Sequence, residues 1–295
     1  MRRQPSLVRG EERQPIDMSI KKSTRKSTDG ALAPGNVGRL EGKVALVTGA
    51  SGGIGRGIAI RLALEGAAVA VHYHLQAREA ASVVAEIRSA NGVARVFQAD
   101  VTKPKQVQAM VAKITAELGG PDILVNNAGV MFPADLATFN TAQFEKMGAT
   151  NVDGAINVTR AVVDGMKKSR FGRIVNITSV AGIGTAFPGT TFYAATKAAL
   201  AILTRRFAMD LGPLGITVNA VAPGYILVGM NKRGRKQKEI EAASSVVVPR
   251  TMVRRVGVAE DIASAVAYLV SPEAGFVTAQ VLTVDGGRMD YISHV

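Results

Sequence analysis

Tyr193 and Lys197 stand four residues apart in the alanine-rich stretch TTFYAATKAAL, residues 190–200. In a helix that spacing places both side chains on one face, one above the other. A phenol ionises near pH ~10 and is a poor proton carrier at neutral pH. An ammonium fixed beside it favours the phenolate and draws that value down. The pair can therefore act as an acid/base device, but a tyrosine and a lysine also meet at this spacing without any chemistry, so the pair alone leaves both readings open. A second stretch, VTGASGGIGRGIA (47–59), puts Thr48, Gly49, Gly53 and Gly55 between a β-rich run and a helical one. Glycines there let the turn close and let a pyrophosphate approach the backbone, with the free N–H groups and positive dipole end of the helix aimed at it.

The elements that must position these residues follow from periodicity. Short apolar runs predict strands at KVALVT (43–48), AAVAVHY (67–73), ARVFQAD (94–100), DILVNNAG (122–129), GRIVNITS (172–179), ITVNAVAP (216–223) and QVLTVD (280–285). Between them lie helical patterns, among them a long helix ending near 164–169, the helix carrying Tyr193, and AEDIASAVAYLVS (259–271). Near-continuously apolar strands alternating with helices predict an α/β fold, a doubly wound parallel sheet of seven strands with helices on both faces in a single domain. Residues 41–295 form that domain, with a looser basic segment at about 225–255 as a candidate lid over the site.

The chain has 295 residues, 47% of them hydrophobic, enough for one such domain with a large core. No run approaches the ~18 apolar residues of a membrane helix, so no membrane partner is expected. Cysteine is absent, which removes disulfides, thiolate nucleophiles and cysteine-ligated zinc and is compatible with a cytoplasmic location. His72, His74 and His294 are too few for a histidine-rich metal centre or a Ser-His-Asp triad, and no metal site is expected. The formal net charge is +13, but residues 1–39 and 230–255 together carry eleven of those charges, leaving the body nearly neutral. That is not a basic face, so no nucleic-acid partner is expected. The charge reads as a solvated tail and loop, or as a loop that draws in an anionic substrate. Residues 1–40, rich in Arg, Lys, Ser, Gly and Pro and without periodicity, read as a disordered basic extension. It lacks the apolar stretch of a secretory signal, Glu11, Glu12, Asp17 and Asp29 argue against a transit peptide, and Met18 is an alternative start.

Taken together, the short motifs carry a resemblance. T-G-x-x-x-G-x-G at 48–55, Asp100-Val101, NNAG at 126–129, Asn151-Val152, ITS ending at Ser179, YAATK at 193–197 and Pro223-Gly224 stand in the order and at the separations of the short-chain dehydrogenase/reductase family. The chain resembles its single-domain branch over residues 41–290, especially the 3-oxoacyl-[acyl-carrier-protein] reductases and related sugar, polyol and ketone reductases. The resemblance implies that Tyr193 is the general acid/base and that Lys197 tunes it and bonds the nicotinamide ribose. It implies that Ser179 bonds the substrate carbonyl and that Asn151 supports a proton path. Thr178 beside Ser179 must face the other way, because strand side chains alternate. For the cofactor the resemblance implies Gly49, Ser51, Gly53, Ile54 and Gly55 at the pyrophosphate. It places Asp100 and Val101 at the adenine, Asn127, Ala128 and Gly129 by its ribose, and Pro223 and Gly224 along the nicotinamide.

The second strand ends without an acid between Val69 and Arg78, and Tyr73 occupies the position that would hold an NAD ribose, so NADP(H) is favoured over NAD(H). His74 and Arg78 could meet its phosphate, although Gly52 stands where relatives often carry a base. Val228 replaces the usual carboxamide-binding threonine. Arg170 matches one basic residue of the carrier-protein docking patch, but Leu214 stands at the second, so acyl carrier protein is one possible partner and other carbonyls or alcohols remain open. Family analogy implies a homotetramer. A nucleotide-sensing regulator without turnover would typically have lost the tyrosine or lysine, and the extended epimerase branch has a different glycine spacing.

Overall fold

The computed structural model describes residues 38–228 and 237–291. Most of the expected N-terminal extension, and residues 229–236 of the expected lid, lie outside the described residues. Seven strands form one sheet: β1 Val44–Val47, β2 Ala68–Tyr73, β3 Ala94–Gln98, β4 Ile123–Asn126, β5 Gly172–Ile177, β6 Ile216–Pro223 and β7 Val281–Val284. All neighbours pair in parallel, in the order β3-β2-β1-β4-β5-β6-β7. The order reverses between β1 and β4, and in open sheets of this kind ligands bind beyond the strand ends at that point.

The helices between the strands are α1 Gly53–Leu64, α2 Ala77–Ser89, α3 Pro104–Leu118, α4 Thr141–Gly148, α5 Gly154–Ser169, α6 Thr191–Leu211, α7 Gln237–Val247 and α8 Ala259–Val270. Alternating strand residues feed two cores. Ala45, Val47, Val69, Val71 and Val125 pack under α1, α2 and α8, while Leu46, Ala70, Leu124 and Val218 pack under α3, α5 and α6. The central strands β1, β4, β5 and β6 are buried throughout, which is why they read as continuous apolar runs. The two edges differ: β3 exposes Arg95, Val96 and Gln98, and β7 leaves Leu282 38% exposed.

Two departures from the sequence reading concern helices. The long helix expected before β5 is interrupted: α4 and α5 are joined by a π-helical stretch, Ala149–Asp153, that carries Asn151. The segment expected to be loose contains α7. Beneath the site, a buried polar ladder links four elements. Asn126 Nδ2 on β4 donates to Thr159 Oγ1 on α5 (3.1 Å) and to Asn176 Oδ1 on β5 (2.9 Å), and Asn176 Nδ2 donates to Thr204 Oγ1 on α6 (2.9 Å). Directional bonds in a dry interior set the relative positions of these elements more narrowly than apolar contact alone.

Candidate active site

The glycine turn leaves β1 at Thr48 and enters α1 at Gly53. Thr48 Oγ1 accepts from the backbone N–H groups of Asn127 (2.9 Å) and Ala128 (3.0 Å), and Asn127 Nδ2 donates back to the carbonyls of Thr48 (2.8 Å) and Gly49 (3.1 Å). The β1 and β4 loops are thereby tied into one floor. Gly49 sits at φ +63°, and a Cβ on Gly55 would lie 2.4 Å from both the Asn127 amide nitrogen and the Gly49 oxygen, so this packing requires glycine. A Cβ on Gly52 would meet nothing, so the space above the turn is open. Helix α1 has no side-chain N-cap and no acid in its first turn. Among the described residues no side chain caps its first N–H groups, which leaves them open to an anion. The turn fits a dinucleotide pyrophosphate on this ground. Ser51 donates to Gln76 Oε1 (3.0 Å), which fastens the turn to the segment leading into α2, and Ile54 packs against the core under α1.

At the adenine end, Asp100 Oδ1 accepts from the Thr102 backbone N–H (2.9 Å) and hydroxyl (2.8 Å), and its Oδ2 lies 4.0 Å from His74 Nε2. Burial opposes its ionisation, but the Thr102 bonds and the neighbouring cations prevail and hold it below the usual carboxylate range. Val101 is buried, and its carbonyl accepts from Asn157 Nδ2 on α5 (3.0 Å). Tyr73 ends β2 half-buried, with His74 and Arg78 exposed after it. At the other end, the Gly224 N–H donates to Val284 O (2.9 Å) as the Pro223-Gly224 pair leaves β6.

Of the four residues expected to do chemistry, Asn151 and Lys197 flank Gly129, while Tyr193 lies beside Lys197 and hydrogen-bonds Ser179. A Cβ on Gly129 would lie 3.1 Å from Asn151 Oδ1 and 3.5 Å from Lys197 Nζ. Asn151 is 1% exposed. Its Oδ1 accepts from the Val130 N–H (2.8 Å), and its Nδ2 donates to Val130 O (2.9 Å) and Thr196 Oγ1 (3.0 Å). A π-bulge displaces one residue from the regular helical path, and such bulges are frequent at functional sites. Lys197, 4% exposed, donates to Ile177 O at the end of β5 (2.8 Å) and lies 5.7 Å from the Tyr193 ring centroid. Ser179 is half-buried and its Oγ accepts from the Ala181 N–H (3.1 Å), whereas Thr178 points into the sheet and donates to Val221 O (2.9 Å). Both residues lie just past the end of β5, Thr178 turned inward and Ser179 left half-buried.

The electrostatics differ from the sequence reading. Burial pushes Tyr193 up to about 12, and the Ser179 hydroxyl offsets only part of that. Burial also brings Lys197 down to about 8. The Lys197 ammonium donates to the Ile177 carbonyl and stands 5.7 Å from the phenol ring centroid, and in the free protein desolvation of the phenol outweighs its pull. Sequence reasoning also passed over three residues. Thr196 links Asn151 to Tyr193 O (2.8 Å). Gly182 lies where a Cβ would come within 2.8 Å of the α6 backbone at Ala198. His72 sits on β2 with 1% exposure. A lone polar residue in an alanine helix or an apolar strand was the available signal, since a buried polar group needs partners.

The chain is similar to known proteins over most of its length. A family model described as enoyl-(acyl carrier protein) reductase matches residues 49–288. Over 245 residues the chain is 38% identical to 3-oxoacyl-[acyl-carrier-protein] reductase FabG of Staphylococcus epidermidis, spanning 83% of this chain and 98% of that protein. Among solved structures, a Serratia marcescens short-chain dehydrogenase/reductase variant matches with TM-score 0.77 at 37% identity, over 84% of this chain and 98% of that one. A gluconate 5-dehydrogenase from Burkholderia cenocepacia, in complex with NADP and tartrate, matches with TM-score 0.78 at 35% identity, over 84% and 95%. Agreement at this level, across nearly the whole of each relative, means that the chain belongs to the short-chain dehydrogenase/reductase family.

Proposed function

We propose that this protein is an NADP(H)-dependent reductase of a carbonyl to a secondary alcohol, or the dehydrogenase running the reverse reaction. It is an oxidoreductase acting on CH–OH/C=O by family. The observation that carries the mechanistic reading is the chain of contacts from Ser179 to Tyr193 to Lys197, with Lys197 and Asn151 both beside Gly129 in the loop that follows β4. The glycine turn, Asp100, Asn127–Gly129 and Pro223-Gly224 would hold the dinucleotide, which when bound supplies the hydride. Ser179 donates a hydrogen bond to the substrate oxygen, and Tyr193 gives that oxygen its proton. The Lys197 ammonium favours the phenolate left behind. Asn151 positions the Tyr193–Lys197 helix through Thr196. Holding the oxygen between two aimed donors supplies most of the barrier reduction.

The NADP(H) preference rests on the acid-free end of β2, with Tyr73, His74 and Arg78 available to a ribose phosphate. A 3-oxoacyl thioester is one substrate class, in line with the Staphylococcus relative. A sugar or polyol is the second, favoured by the gluconate 5-dehydrogenase and by the docking patch. Leu214 brings no charge to that patch, and Arg170 donates to Pro213 O (3.3 Å). Homotetramer formation through the long helices and the exposed β7 edge, and a cytoplasmic location, complete the reading. NADPH oxidation across 3-oxoacyl thioesters, sugars and simple ketones tests it, with Tyr193→Phe as control. The Phe variant should lose at least about 100-fold in kcat, the usual scale for a positioned general acid. Wild-type turnover in that variant would overturn the proton-donor assignment.

A further inference from the structure

His72 reaches two backbone groups that border the proposed cofactor site at opposite ends. Its Nδ1 lies 3.0 Å from the Gly49 nitrogen in the glycine turn, and its Nε2 lies 3.1 Å from the Ala99 oxygen, one residue before Asp100. The Gly49 N–H can only donate, so Nδ1 is the bare nitrogen and Nε2 carries the proton and donates to Ala99. The bonds themselves thus fix one neutral tautomer. His74 and Asp100 act on the ring electrostatically, in opposite senses, and burial outweighs both.

Gly49 is held from its other side as well. Asn127 Nδ2 donates to its carbonyl, and its φ of +63° sets the direction in which the chain turns towards α1. His72 therefore fixes the amide end of the residue whose carbonyl end Asn127 fixes. Being 1% exposed, the ring can touch neither cofactor nor substrate. We infer that His72 is a positioning residue for the dinucleotide: its Nδ1 holds the Gly49 amide, and so aims the pyrophosphate turn before the cofactor arrives, while the Nε2 bond to Ala99 mainly orients the ring. This inference rests on the dinucleotide-binding reading above.

The two ring nitrogens can be separated by substitution. Counting from Cβ, an asparagine Oδ1 stands where Nδ1 does and can still accept from Gly49, but it does not reach Ala99. A glutamine amide nitrogen stands where Nε2 does, can still donate to Ala99, and leaves Gly49 without its acceptor. His72→Gln and His72→Leu should raise Kd and KM for NADPH about tenfold, equivalent to about 1.4 kcal/mol, with a much smaller fall in kcat. His72→Asn should recover most of that affinity. Binding is read by NADPH fluorescence on the full chain, with circular dichroism and urea midpoints verifying that each variant folds. Equal affinities for the Asn and Gln variants, or a loss expressed in kcat with KM unmoved, would overturn the inference while the dinucleotide reading stood. A folded wild-type protein that bound neither NADPH nor NADH would overturn both.

Discussion

At the residue scale, the half-buried Tyr193 and the buried Lys197 set the pH behaviour of the proposed reaction. Reduction needs Tyr193 protonated, and with its value pushed up to about 12 that condition holds throughout the working range. It also needs Lys197 charged, and burial brings that group down to about 8. The kcat/KM for carbonyl reduction should therefore be flat below that value and fall above it as the ammonium loses its proton. A pH profile that rose through pH 8 would contradict the assignment. His72 predicts a second pH effect, in stability. Burial lowers the ring from 6.5 to about 4. Between those values the unfolded chain binds a proton that the folded ring refuses. Stability is full above pH ~6.5 and declines as pH falls towards 4, by up to about 3 kcal/mol from this group alone. Urea midpoints across that window should fall less steeply for His72→Asn than for the wild type.

At the element scale, the site depends on how closely the turn after β5 sits on α6. Gly182 closes the 3-10 turn Val180–Gly182 that follows Ser179, against the backbone of Lys197 and Ala198. A Cβ there would lie 2.8 Å from a helix nitrogen and 2.9 Å from the Lys197 carbonyl carbon, atoms that cannot swing aside. Gly182→Ala should force the turn off the helix, destabilising the fold by about 1–3 kcal/mol. It should also lower kcat, because Ser179 and Tyr193 would no longer converge on one oxygen. Chemical denaturation and steady-state kinetics check the two effects separately. This contact was not legible in the sequence, where Gly182 is one small residue in VAGIGTA. Glycines Gly49, Gly53 and Gly55 were legible because they recur between a strand and a helix. The π-helical stretch at Ala149–Asp153 was invisible for another reason: a single added residue per turn changes helical periodicity too little to read.

At the scale of the whole molecule, the sheet was the most legible feature, because strands buried on both faces leave continuous apolar runs such as VALV and ILVN. The charge distribution was equally plain, and it gives the molecule its broadest testable property. The body is nearly neutral, while residues 230–255 carry eight Lys/Arg against Glu239 and Glu241. Some of these cations are already committed: Arg255 is paired with Asp261, and Arg250 with Asp290, as is the buried Arg288. Lys232, Arg233, Arg235 and Lys236 belong to the same run. If that run draws in an anionic substrate, its field should be screened by salt, since the Debye length falls from about 30 Å at 0.01 M to about 10 Å at 0.1 M. KM for an anionic substrate, such as a phosphopantetheine thioester, should then rise several-fold over that range, while KM for a neutral ketone stays level. Replacing the four cations with serine should remove the salt dependence and leave the neutral-substrate kinetics in place. The same salt slope for both substrates would show instead that the charge is only a solvated surface.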